Sequence, residues 1–211
     1  MPCRFSVWSV AVFLVVVPVF FQAPLVRSLP WLSLTLTGTW LMAGISLISR
    51  SNGRTWGDLL IGFTWTWLAG SIYWGWFRWE PFLHLPIESI GMPIVLILLS
   101  QGKGRVGSYF YFGSLLGTAM TDLYIYWVDL LPFWRQVMYA DPDWVPLLLR
   151  EAATTLQHIA PVGQGVILAL GLLITGLLPL KSRQPCWWAF SGAVLSTLIV
   201  DLLFLTSSFF V

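Results

Sequence analysis

Polar residues divide this chain into apolar runs of nearly uniform length. Residues 5–26, between Arg4 and Arg27, are 22 uncharged positions, and a second run of 22, residues 28–49, ends at Arg50. A membrane-crossing helix needs about 20 mainly apolar residues, so each run predicts one span. The two would pair through a short turn around Arg27 and Pro30. The first run reads as a retained helix rather than a signal peptide. Its one small cleavage residue, Ala23, is followed by Pro24, and Phe21 stands where cleavage wants a small side chain.

After a polar loop at 50–55, a third span is expected at 57–77. The fourth run, 85–101, contains Glu88, Pro86 and Pro93, and is expected to be shortened, broken or partly re-entrant. A fifth span covers 106–128 with Asp122 inside it. Residues 129–158 form the longest extramembrane loop, with an interfacial helix expected near 145–157. Spans at 159–180 and 187–211 complete the pattern. The prediction is a single all-α polytopic membrane domain, 1–211, a bundle of about 6–7 transmembrane helices. No internal repeat is visible, which leaves an inverted-repeat transporter without support.

Composition narrows the class. Of 211 residues, 57% are hydrophobic and 9% charged, with a mean hydropathy of +0.80. Soluble domains carry about a quarter charged residues, so a water-facing surface cannot be built from this chain, and its solvent is the lipid bilayer. A net charge of +2 provides no basic face for nucleic acid. Cys3 and Cys186 form no CxxC or Cys/His cluster. The residues point to no metal-ligand set and identify no cofactor.

Charge placement sets an orientation. With the N-terminus cytoplasmic, Arg4, Arg50, Arg54, Lys103, Arg105, Lys181 and Arg183 fall inside, and only Arg27, Arg78, Arg135 and Arg150 outside. Glu80, Glu88, Asp129, Asp141, Asp143, Glu151, His84 and His158 then gather at the outer end.

Buried charge is the strongest chemical signal. A carboxylate at the centre of a span costs about 2.5–3.5 kcal/mol on insertion scales and marks a bundle interior or a cavity. Asp122 and Asp201 are such residues. Asp122, Tyr126 and Asp129 share one helical face, and Arg78, His84 and His158 are partners at matching depth. A structural polar clasp is the plain alternative to a functional site. In the stretch Arg78-Trp79-Glu80-Pro81-Phe82-Leu83-His84-Leu85-Pro86-Ile87-Glu88, a helix would set His84 and Glu88 one turn apart. Pro86 makes a bend equally compatible. Glu88 is the candidate acid/base, with His84 or Asp122 as its proton partner.

Six tryptophans fall between Trp56 and Trp79. Trp65 and Trp67 lie mid-span, where an interfacial aromatic belt does not account for them. They would line an apolar ligand pocket, or simply pack. Gly113/Gly117, Gly165/Ala169 and Gly192/Ser196 are small-residue pairs of the kind that let helices approach, within the chain or toward a partner helix.

Two longer stretches carry a resemblance. Trp56-Gly57-Asp58 through Trp74-Gly75-Trp76-Phe77-Arg78-Trp79-Glu80-Pro81, with Gly117-Thr118-Ala119-Met120-Thr121-Asp122-Leu123-Tyr124, resembles an integral-membrane family of unknown function found in cyanobacteria. That resemblance implies a thylakoid or plasma membrane and no particular activity. Locally, Leu85-Pro86-Ile87-Glu88 is similar to the acidic motif of small membrane-embedded carotenoid cyclases, with Ser89 in place of the second acid. This similarity implies protonation of an isoprenoid end group by Glu88.

Three functions fit these residues. One is binding or acting on a lipophilic small molecule, an isoprenoid or pigment, at an outer-half polar site made from Glu88, His84, Asp122, Arg78, His158, Asp201, Trp65 and Trp67. The second is a proton-coupled carrier, or its membrane subunit, titrating Asp122 and Asp201. The third is an assembly factor of a larger membrane complex, docking through small-residue faces.

Overall fold

A computed structural model describes residues 3–141 and 143–210, and all regular structure among them is helical. In chain order the helices are α1 (Arg4–Ser28), α2 (Pro30–Ile48), α3 (Arg54–Ile72), α4 (His84–Glu88), α5 (Met92–Ser100), α6 (Arg105–Trp127), α7 (Leu131–Tyr139), α8 (Val145–Leu156), α9 (Ile159–Leu177) and α10 (Pro185–Phe210). Pro18 and Pro24 lie inside α1 without ending it, as transmembrane helices tolerate. Pro30 opens α2 at a position that needs no N–H donor.

Among the described residues, five helical stretches are long and apolar enough to cross a membrane: Arg4–Ser28, Pro30–Ile48, Pro81–Ser100, Ile159–Lys181 and Pro185–Thr206. The other two long helices, α3 and α6, fall below that apolarity because they carry the polar and small residues, and they are the ones at the centre. Gly57, Leu59, Gly62, Phe63, Thr64, Trp67 and Ser71 are buried on α3, and Gly107, Ser108, Phe110, Tyr111 and Asp122 on α6. In lipid an outward face must be apolar, whereas an interior face is chosen for fit and hydrogen bonding. Hydropathy therefore marks the helices with lipid-facing surface best, including α1 and α10, which also supply core residues.

Helices α1, α3, α6 and α10 run in one direction. Arg4 Nη1 donates to the Ser182 carbonyl, and Phe20 stacks on Phe204 at the far end. The Asp58 carboxylate accepts the Val106 amide at 2.8 Å, which satisfies a first-turn donor of α6 after left-handed Gly104. A Cβ on Gly62 would collide with the Gly107 carbonyl, and one on Gly107 with the Asp58 carbonyl, so α3 and α6 touch backbone to backbone. Gly113 and Gly117 meet Phe190, Ala193 and Thr197 of α10, Gly192 meets Trp8 and Ala11 of α1, and Gly165 meets the Tyr124 ring. The glycines of these small-residue pairs thus join helices within the chain.

The apolar core is built from Val7, Ala11, Leu59, Phe63, Trp67, Phe110, Ala189 and Ala193. Beside it, a buried clasp joins the first three helices. Gln22 Nε2 donates to the Trp67 carbonyl (2.7 Å) and to Ser71 Oγ (3.0 Å), Ser71 and Ser33 share a hydroxyl bond (2.8 Å), and Trp67 Nε1 donates to the Ser33 carbonyl (2.9 Å). Gln22→Leu removes two buried bonds from one side only. It is expected to destabilise the protein by about 1–3 kcal/mol, read as earlier unfolding in a denaturant titration of the detergent-solubilised chain.

The fourth apolar run is helical but broken. A 3₁₀ turn at Pro81–Leu83 leads into α4, and a second at Ser89–Gly91 leads into α5. Gly91 presses on Trp65 and Tyr111, where a Cβ would not fit. The long loop holds two helices where the pattern predicts one. Its second, α8, matches the expectation. The additional α7 arises because Asp129, left-handed at φ 58, stops α6, and Pro132 in the next turn starts a new helix. The Leu130 amide reaches back to the Ile125 carbonyl, as in a glycine-type helix stop.

Candidate functional site

The chain leaves α3 through a π-turn, Tyr73–Phe77. Such turns insert one extra residue and often mark functional positions. The Glu80 side chain accepts the Phe82 amide and caps the 3₁₀ turn that delivers His84. Tyrosine hydroxyls then pin the backbone on both sides of α4. Tyr126 Oη donates to the Pro81 carbonyl (3.0 Å) and Tyr111 Oη to the Glu88 carbonyl (2.7 Å).

His84 and Glu88 stand one turn apart on α4, and Asp122 faces them from α6. His84 Nδ1 is 2.9 Å from Asp122 Oδ1, a hydrogen bond, and His84 Nε2 is 3.8 Å from Glu88 Oε1, an ion-pair distance beyond hydrogen-bond reach. One imidazole thus addresses a carboxyl group from each of its nitrogens. The three side chains are 15%, 11% and 6% exposed for His84, Glu88 and Asp122. Tyr73 stacks on the imidazole with centroids 4.2 Å apart, and Trp74 meets it edge-on at 6.2 Å. The ring is therefore held in plane by packing as well as by its hydrogen bond. Asp122 Oδ2 is buried without a hydrogen-bond partner among the described residues, so the anchoring acid retains an unused acceptor. An imidazole between two acids can pass a proton from one side to the other.

The remaining predicted residues are placed as follows. Asp201 accepts from Thr121 Oγ1 at 3.0 Å. Thr121 neighbours Asp122 but points about 100° round the helix, so the two aspartates lie on different sides of α6. His158 is exposed at the N-cap of α9 and is not among the triad's hydrogen-bond or ion-pair partners. Arg78 is near the site through its backbone, its carbonyl accepting from Trp134 Nε1 at 2.8 Å, while its guanidinium donates to the Trp74 carbonyl and lies over Trp79. Trp67 sits in the core among Trp40 and Phe63. Trp65 lines a cavity of about 10 Å³ with Asp58 and Ser108, room for about one water. A larger open groove of about 520 Å³ lies between α7 and α8, lined by Gln136, Tyr139, Ala140, Asp141, Trp144 and Leu148. Neither space is lined by triad residues. Among the described residues, no three His, Cys, Asp or Glu side chains are placed to hold a metal ion.

Sequence reading misses Tyr73 and Tyr111, since one tyrosine in an aromatic-rich span resembles the next. Tyr126 carries a usable signal, its i, i+4 relation to Asp122.

A family model covers residues 11–209, and the chain belongs to that family, described as "Protein of unknown function (DUF3120)". The family resemblance carried by the Trp56–Pro81 and Gly117–Tyr124 stretches is borne out to that extent. No curated protein and no solved structure matches the chain.

Proposed function

We propose that this membrane protein transfers a proton to or from a lipophilic molecule at the Asp122–His84–Glu88 triad. The observation that carries the proposal is the single imidazole bridging two buried acids, at 2.9 Å and 3.8 Å. Asp122 anchors and orients the ring, His84 carries the proton, and Glu88 exchanges it with the substrate as general acid or base. The surroundings favour an apolar substrate: Phe82, Leu83, Ile90 and Leu123, close in sequence to the triad, are exposed where lipid would lie, so entry is lateral from the bilayer.

In this reading α3 and α6 cross as well, giving seven spans with the N-terminus cytoplasmic. The common direction of α1, α3, α6 and α10 supports it, since alternating passes require four helices to point one way. Arg4, Arg54 and Arg105 start three of those helices and Arg183 precedes the fourth, and that charge bias supports an outer-half triad. An isoprenoid or pigment of a cyanobacterial plasma or thylakoid membrane is the substrate class this reading adopts.

Glu88→Gln keeps the shape and removes the exchangeable proton. It is expected to lower conversion about 10²–10⁴-fold with the fold intact. The check is to purify both forms in mild detergent and identify extracted lipophiles by mass spectrometry. A non-bulk lipophile held by the wild type, and found in its unconverted form on Glu88→Gln, supports the assignment. Bulk phospholipid alone in both, with unchanged pigment and quinone profiles in a deletion strain, refutes it.

A further inference from the structure

We infer that α7 is a hinged lid over the triad, latched by the Arg135–Glu80 ion pair. This rests on the triad being a proton-transfer site and adds how water reaches it. No residue of α7 is buried. Its contacts with the site all fall on the segment just before His84. Trp134 donates to the Arg78 carbonyl, and its ring lies 5.8 Å from Trp74, which in turn edges His84. Arg135 Nη2 reaches both Glu80 oxygens, at 3.1 and 3.3 Å, and its guanidinium lies 6.0 Å from the Phe82 ring centre. Tyr139 packs 6.4 Å from Trp79.

Asp129, left-handed at φ 58, lies two residues before α7, and Ala140, extended at φ −70, ψ 148, follows it, so the nine-residue helix can tilt about its connections without unwinding. The open groove of about 520 Å³ borders its α8 side, the side on which it has room to tilt. The latch is half-exposed, 45% at Arg135 and 37% at Glu80, so it is weak and readily released. Closed, Trp134 covers Trp74 and keeps the His84 ring from the outer aqueous phase. Open, it admits water to recharge the relay. Excluding water during transfer and admitting it afterwards is what lids do at enzymatic sites.

The chain has two histidines, so His158, exposed, is an internal reference for His84. The full chain in lipid nanodiscs is treated with diethyl pyrocarbonate, and modification of each histidine is followed by mass spectrometry. R135E is expected to raise the His84 rate relative to His158 by up to about fivefold, the shift that losing a surface ion pair allows. R135K, which keeps the charge opposite Glu80 and leaves the Glu80 cap on Phe82 untouched, should hold the ratio near wild type. An unchanged ratio in R135E, or an equal rise in R135K, overturns the lid. Accessibility is read here and not turnover, so this result and the Glu88→Gln result fail independently.

Discussion

His84→Ala is expected to destabilise the protein by about 1–3 kcal/mol, the cost of leaving a buried polar group without its hydrogen-bond partner. Among the described residues Asp122 Oδ2 has no hydrogen-bond partner, so removing the imidazole strips the side chain of its described hydrogen bond. Loss of the ring also opens space between Tyr73, Trp74 and Glu88, which stack on it or pair with it. The double variant His84→Ala/Asp122→Ala is expected to be less destabilised than His84→Ala alone, because both halves of the pair are gone. Unfolding of purified protein in a denaturing-detergent titration measures both. Equal stability of the single variant and wild type would mean that the 2.9 Å contact does not form in the bilayer.

The second large effect lies at the centre of the bundle and involves no charge. Gly62→Leu places a side chain where the Gly107 backbone stands. Neither helix can yield without moving Asp58 away from Val106, so the expected cost is about 3 kcal/mol or more. On size-exclusion chromatography the variant should appear as aggregate, or not at all. Gly38→Ala is the matched control. Nothing lies within 4 Å of a Cβ at that position of α2, and alanine is the better helix former by about 0.5–1 kcal/mol. If both variants behave alike, the α3–α6 contact is not the one that organises the bundle.

Depth along the helices is legible in the sequence, and azimuth is not. Charges at run ends locate each helix along the bilayer normal, which is why His84, Glu88 and Asp122 can be placed at one level from the sequence. Which face of α6 each polar residue takes depends on packing. The charge pattern predicts Asp201 and His158 in the same half of the bundle as the triad, yet Asp201 faces Thr121 and His158 is exposed. Trp67 shows the same limit from the apolar side. In lipid, a core tryptophan and a ligand-lining tryptophan have the same composition around them, and only its bond to the Ser33 carbonyl places it in the clasp. The break in the fourth run follows from Pro86, Pro93 and Gly91. The start of α7 is hidden because its stop signal is an aspartate, Asp129, in a conformation usually read from glycine.

The bond from Asp58 to the first turn of α6 bears on biogenesis. Residues 58 and 106 are separated by the π-turn and the whole broken fourth run. When α6 emerges from the insertion machinery, its leading amides have no intrahelical acceptors, and their partner was synthesised two helical passes earlier. Helix α3, one of the less apolar long helices, gains little by drifting into lipid alone. Pairing with α6 gives it a partner in place of lipid, and the amide that Asp58 caps is one that α6 cannot satisfy by itself.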